Sequence, residues 1–448
     1  MEQITQKVDK YREKILAALD YFWKNPETGY REVKTAAYLA KAFEDLGYSL
    51  TYAGDIPGFY TDVDTGRPGP TVAVMGELDA LLCATHPDAD PQTGAVHCCG
   101  HAAQIAALLG VAAALREPEV LDGMSGKIRL MAVPAEELIE TEYRKCLKAQ
   151  GVIRYYGGKV ELMYRGWFRD VDISFMIHTT NLPEKNAGYI VGGGNGCIVK
   201  EMEFRGVAAH AGGTPHKGVN ALYAANLAMN AVNCLRETFV DSDHIRFHPI
   251  ITAGGDSVNA IPDKVRMESY VRGSTMEAIV RENRKINRAI AASAAAMGGN
   301  VRIQDIPGYH PIRNCVDLLP VMKQAMEQVL DHVIYEPETI RSGCSDVGDL
   351  SSVMPMIHPY IGGAVGNSHG NDYYIDDPET ACVNSAKVQL VFLKLLLQKG
   401  AEIANQVISD FRPIYDSEEA YFRYMDSLSI DKQAVAYEPD GAVVLRFE

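Results

Sequence analysis

Apolar residues recur about every 3.6 positions over the first fifty residues, which predicts two helices. Ile15, Leu16, Leu19 and Phe22 form one apolar face, and Ala36, Leu39, Phe43 and Leu46 form the next. Pro26 and Gly29 mark the turn between them. The pattern then changes. "TVAVMGELDAL" begins at Thr71 with a short, nearly all-apolar run over 71–75. That is the form of a strand buried on both faces of a parallel sheet. "KIRLMAVPAEE" and "VDISFMIHTT" repeat it, and each releases polar residues at its C-terminal end. Between the first two, residues 101–115 read as a helix with Ile105, Leu108, Leu109, Ala112 and Leu115 along one side. Strand–helix–strand alternation predicts an α/β fold, a mostly parallel sheet flanked by helices.

The middle of the chain obeys another rule. "VKEMEFR" (199–205) and "KVRMESYVR" (264–272) alternate apolar and charged positions. Period two marks strands with one wet face, hence an antiparallel sheet. Helical stretches follow at 218–235 and 274–297. Together they predict an inserted α+β domain over 196–308, with the Gly- and Pro-rich segments "VGGGNG" and "IPGYHP" as joints. Residues 1–195 and 309–448 then form the two parts of the α/β domain. Helices are expected at 318–330 and 384–408, and the C-terminal tail reads as irregular.

Composition narrows the function classes. The chain has 448 residues, 47% hydrophobic and 23% charged, as in an ordinary two-domain globular protein. A net charge of −15 argues against nucleic acid and anionic membranes as partners. The charged, amphipathic N-terminus lacks the apolar core of a signal peptide, and no stretch approaches the ~18 apolar residues of a membrane span. Nine cysteines show no framework spacing, so the expected setting is a reducing cytoplasm, with the thiols free or metal-bound.

Polar residues gather at the strand ends. Asp79 follows the first buried strand, Cys99 and His101 open the next helix, Glu136 and Glu137 follow the second strand, and His178 ends the third. Sites in open α/β sheets form at the carboxyl ends of strands. His369, in the Gly-rich loop "GNSHGND", is a further contributor from the returning part. Thiolate, imidazole and carboxylate are ligands of zinc and related divalent ions. The donors outnumber the three protein ligands of one catalytic zinc, so two ions sharing a bridging group account better for the set. In "AVPAEE", one glutamate can bind metal while its neighbour takes a proton from water.

These segments, in order, resemble a known family. "ELDAL", "VHCCGHAAQIAALLG", "VPAEE", "GVAAHAGGTPHKGVNAL", "SVNAIPDKVRMESYVRGS" and "CSDVGDLS" are similar to the aminoacylase and hippurate hydrolase group of dinuclear metallopeptidases. Within that group the chain is most similar to the amidohydrolase branch, which includes aminobenzoyl-glutamate and amino-acid-conjugate hydrolases. The resemblance runs from "NPETGYREVKTAAYLAKAFEDLGY" to about Ala386. It implies Cys99, His101, Glu137, His178 and His369 as metal ligands, with the Cys99 thiolate bridging. It implies Glu136 as general base and Asp79 as the group that orients a ligand histidine. The inserted domain would be a lid and homodimerisation domain. In it His210 would polarise the substrate carbonyl, Asn259 would lie near the substrate, and Arg272 would meet its carboxylate.

The implied enzyme is a metal-dependent amidohydrolase of the aminoacylase, carboxypeptidase or dipeptidase type. A metal-bound hydroxide would cleave the amide of an N-acyl amino acid, an amino-acid conjugate or a dipeptide, a small molecule with a free carboxylate. Two divalent ions are expected, zinc or manganese first, with cobalt and nickel also admitted by mixed S/N/O ligation. Two alternatives remain: a non-catalytic binder of small molecules or metal on the same scaffold, and an aminopeptidase of related fold. Three features depart from the family pattern. Ala102 stands where a polar residue usually follows "CGH", the link "LLCATHPDADPQTGAVH" is long, and "MIHTTNLP" lacks the expected proline or aspartate after its histidine.

Overall fold

Seven consecutive buried residues form the strand Thr71–Glu77. It pairs in parallel with Lys127–Val133 on one side and Ile173–Phe175 on the other. Met356–Ile357 extends the parallel set, and Phe59–Asp64 with Thr51–Tyr52 completes a six-stranded sheet on an antiparallel edge. This is the mostly parallel α/β sheet expected. The structure is a computed structural model and describes residues 2–447. The chain divides into two units, residues 1–193, 312–341 and 345–418 in the first and 194–311, 342–344 and 419–448 in the second.

The helix His101–Leu115 is buried on every side, not along one stripe. Sheet and helices explain this. A Cβ on Gly76 would lie 3.1 Å from Ile105 and 3.3 Å from Leu108, so the helix packs directly on the strand. A Cβ on Gly110 would lie 2.7 Å from Ile15 and 2.9 Å from Ala386, so the helix Arg12–Lys24 and the helix beginning at Ser385 close its other side. Ala and Gly at successive positions make that double packing possible. The stretch Glu379–Asp410 is long and apolar enough to cross a membrane, contrary to the sequence reading, yet 83% of its apolar window is buried inside the protein. The long helix expected over 384–408 is interrupted at 398–401, where Gly400 takes a left-handed turn.

A second sheet of this unit is built on Tyr360–Val365, which pairs in parallel with His178–Asn181 and antiparallel with Ala187–Gly194. His178 therefore does not end a strand of the first sheet. That strand stops at Phe175, and His178 opens a strand in the other sheet.

In the second unit, Gly196–Arg205 lies between Lys264–Gly273 and Asn300–Pro307, all antiparallel. The helices Ala221–Leu235 and Met276–Ala296 belong to the same unit, each started by a side chain that accepts backbone N–H bonds, Asn220 and Thr275. The tail is not irregular. Glu418–Ser427 is a helix, and Ile430–Gln433 adds a strand to Asn300–Pro307. Residues 419–448, assigned by sequence to the α/β part, thus pack with the second unit because they extend its sheet.

Candidate metal centre

Gly100 sets the site's local geometry. It precedes the helix His101–Leu115 with φ +101°, a backbone region that favours glycine, and places Cys99 and His101 on either side of the turn. A Cβ there would lie 2.6 Å from Tyr373 Oη and 3.2 Å from Thr179 O. The second strand delivers its glutamates through another left-handed residue, Ala135 at φ +55°. Its N–H donates to the buried carboxylate of Glu32 over 2.7 Å, which holds the turn. His369 is also left-handed, φ +65°, and its N–H donates to Cys98 O over 2.8 Å.

These constraints bring the five expected donors together. Cys99 Sγ lies 3.5 Å from His178 Nε2 and 3.3 Å from His369 Nε2. Glu137 Oε1 lies 3.3 Å from His369 Nε2. Cys99, His101 and His178 form one group able to hold a cation, and Cys99, Glu137 and His369 form another. The sulfur belongs to both. His101 Nε2 and Glu137 Oε1 are buried and have no hydrogen-bond partner among the described residues. Buried polar atoms left without partners are costly. Two buried donors that make no hydrogen bond, in a sulfur, nitrogen and carboxylate setting, suit divalent metal ions.

Asp79 supports this arrangement. Its carboxylate accepts the N–H of Glu137 over 2.8 Å and lies 3.3 Å from His101 Nδ1, while its carbonyl lies 2.8 Å from the same nitrogen. Nδ1–H is therefore directed at Asp79, and Nε2 is left for a cation. His178 Nδ1 is fixed in the same way by Thr179 O at 2.7 Å. Arg144 donates to Glu137 O and to Tyr156 O. Ala102 is fully buried, so its methyl packs where a polar side chain was expected. The long link forms a hairpin, Leu81–Leu82 with Ala95–Val96, and His86 Nε2 ties it to Tyr373 O at 2.9 Å.

The electrostatics follow from burial and charge. Burial opposes ionisation of the Cys99 thiol and so does Glu137, but His101 and His178 outweigh both and bring it down to about 6. Burial also opposes ionisation of Glu137, yet the neighbouring His369 brings it down to about 2. The Glu137 carboxylate raises His369 to about 11. Glu136 is pushed well above the carboxylate range, first by burial and then by the charges of Glu77 and Glu137. Glu136 is 7% exposed, and its Oε2 lies 4.0 Å from His101 Nε2. Two carboxyl groups side by side are thus driven apart, Glu137 held low and Glu136 pushed up.

Sequence reasoning missed Glu77, Lys159 and Asp346. All three are fully buried, and Lys159 Nζ bridges Glu77 Oε1 and Asp346 Oδ1 at 2.5 Å each. The available signal was a charge closing an apolar strand, Glu77 in "TVAVMGE". His210, Asn259 and Arg272 lie in the second unit. His210 and Asn259 are exposed on adjoining loops, joined where Ala211 N–H donates to Asn259 O over 2.9 Å. His210 Nδ1 accepts from the N–H groups of Gly212 and Gly213. Arg272 lines a cavity of about 340 Å³ with Arg246, His248, Tyr270 and Ser342.

A site of this donor set on a largely parallel sheet defines a metal-dependent hydrolase fold, and comparison with known proteins agrees. Residues 73–394 match the sequence profile of Peptidase family M20/M25/M40, so the chain belongs to that family. It is 28% identical to an Xaa-Arg dipeptidase of Mus musculus over 367 residues, covering 80% of this chain and 78% of that one. It is 25% identical to an indole-3-acetyl-aspartic acid hydrolase of Enterobacter agglomerans over 438 residues, covering 84% of this chain and 94% of that one. The crystal structure of a dinuclear metal binding peptidase of the M20 family from Bacillus subtilis superposes with a TM-score of 0.64 at 18% identity, over 87% of this chain and 99% of that one.

Proposed function

We propose that this chain hydrolyses the amide bond of an N-acyl amino acid, an amino-acid conjugate or a dipeptide, using two divalent ions. One observation carries the reading: two groups able to hold a cation share the Cys99 sulfur, and Glu136, a buried carboxyl outside both groups, stands beside them. Cys99, His101 and His178 would hold one ion, and Cys99, Glu137 and His369 the other. Bound there, the ions would acidify water and stabilise negative charge on the attacked carbonyl. Glu136 takes the proton of the attacking water and delivers it to the leaving amine. Its burial suits that exchange, because a carboxyl with a raised pKa holds more readily a proton it has taken from water. Asp79 holds the His101 ring, and Arg144 holds the backbone of Glu137.

For His210, Asn259 and Arg272 we keep the roles implied by resemblance: carbonyl polarisation, substrate contact and carboxylate binding, on a lid domain that also forms a homodimer. Zinc or manganese suits the mixed donor set. Nine free cysteines support a reducing compartment such as the cytoplasm. The test is turnover of purified protein on aminobenzoyl-glutamate, N-acyl amino acids, Xaa-Arg dipeptides and dipeptides blocked at either end, before and after metal removal. Metal-dependent release of the free amino acid supports the reading. Tight metal binding with no turnover on any substrate would leave a binding protein on the same scaffold.

A further inference from the structure

The buried carboxylate of Glu77 has no role in the mechanism above, yet it faces the ligand His101. Its Oε2 lies 3.1 Å from His101 Nε2 without the alignment of a hydrogen bond. With Nδ1–H directed at Asp79, a neutral His101 ring presents its Nε2 lone pair to a carboxylate oxygen. Two such donors repel each other unless a proton or cation joins them. Donors about 2.0–2.2 Å from one ion, at angles of roughly 90–110°, lie about 2.8–3.6 Å apart. The observed spacing falls within that range. Glu77, His101 and Glu136 also form a cation-capable group of their own, which shares His101 with the group of Cys99 and His178.

Charge balance leads to the same place. Glu77 Oε1 is held by Lys159, whose ammonium is anchored by Asp346, and Oε2 also accepts from Gln104 Nε2 over 2.9 Å. Lys159 N–H donates to Asp346 Oδ2 over 2.8 Å, so the clamp is rigid. Two carboxylates against one ammonium leave one negative charge, shut away from solvent. Without metal a protonated His101 ring offsets that charge, and a bound cation at Nε2 would take the proton's place.

We propose that Glu77 Oε2 is a fourth protein donor to the ion held by Cys99, His101 and His178, with Lys159 as the counter-charge that turns its other oxygen away. This rests on the two-ion reading above. It makes the two ions unequal. Four protein donors close the position at His101, while Cys99, Glu137 and His369 leave the other open to water and substrate.

The test is metal stoichiometry and affinity of the full chain, by elemental analysis and competition with a chromophoric chelator, together with cobalt(II) absorption spectra. Wild type should bind two ions, one of them more tightly. Glu77→Gln, which removes the charge, and Glu77→Asp, which withdraws the carboxylate but keeps it, should each weaken the tight ion about 10–100-fold and alter its cobalt bands. The looser ion should be unaffected. Two variants with wild-type affinities and unchanged bands would overturn the proposal. Loss in Glu77→Gln alone would also overturn it, by assigning Glu77 to charge balance, and if that variant does not fold, Glu77→Asp decides. Wild type holding fewer than two ions at saturation would instead sink the two-ion reading itself.

Discussion

Replacing Gly100 with alanine tests the turn that sets Cys99 and His101. The residue sits at φ +101°, where an L side chain is strained by about 1–3 kcal/mol. The new methyl would also lie 2.6 Å from Tyr373 Oη and 3.2 Å from Thr179 Cβ. Tyr373 is wholly buried and cannot swing into solvent, so the backbone must give. Overpacking of that kind costs about 1–3 kcal/mol. The sum, about 2–6 kcal/mol, is a large share of the roughly 5–15 kcal/mol that holds a domain folded. Urea unfolding of the metal-free variant, followed by circular dichroism, reads this loss directly. Because the displaced atoms flank the shared sulfur, ion binding should weaken as well. A Gly100→Ala protein within about 0.5 kcal/mol of wild type and still holding two ions would refute the reasoning.

Three further outcomes are expected. Glu136→Gln should retain both ions and the fold while turnover falls at least about 10²–10⁴-fold, and near-normal turnover would remove Glu136 as the base. Chelation should abolish hydrolysis and divalent ions restore it, measured as product release across a titration; activity that survives complete metal removal would contradict the two-ion reading. In the metal-free protein, Glu137 is lowered to about 2 and His369 raised to about 11 by their pairing. The carboxylate's contribution is present above its unfolded pKa, about 4.5, and lost as pH falls towards 2; the imidazole's is complete below its unfolded pKa, about 6.5, and fades as pH rises towards 11. The stability difference between wild type and His369→Ala should therefore peak between about pH 4.5 and 6.5. Since His369 is 54% exposed, it should stay under ~1 kcal/mol, and a flat profile would contradict the pairing.

Much of the centre was legible because apolar runs end where chemistry begins. Cys99, His101, Glu136 and Glu137 each follow or precede a stretch whose periodicity assigns it to the parallel sheet or its helix. His178 does join the cluster of expected donors, but from another strand than the sequence suggested, because an apolar run does not reveal where the chain changes sheets. The all-round burial of His101–Leu115 depends on how closely Gly76 and Gly110 let neighbours approach, which is a tertiary property. Asp346 lies in "CSDVGDLS", a segment that carried the resemblance, but neither it nor Lys159 revealed its role. Each is a charge whose partner lies elsewhere in the chain, and only folding brings them together. The tail was misread because Ile430–Gln433 is a strand by virtue of the edge it joins, and its own residues alternate weakly.

The membership of His178 in the sheet of Tyr360–Val365 bears on how the protein is made. Cys99, His101 and Glu137 leave the ribosome long before the strand that seats His178, and before His369 itself. At synthesis rates of about 5–20 residues per second, the interval between positions 178 and 369 is roughly 10–40 s. Through that time the nascent chain carries Cys99, His101 and Glu137 without the segments that complete the donor set. Completion of the donor set therefore waits on the late-translated segment, and a truncation before Tyr360 would lack both His369 and the strand that pairs with His178–Asn181.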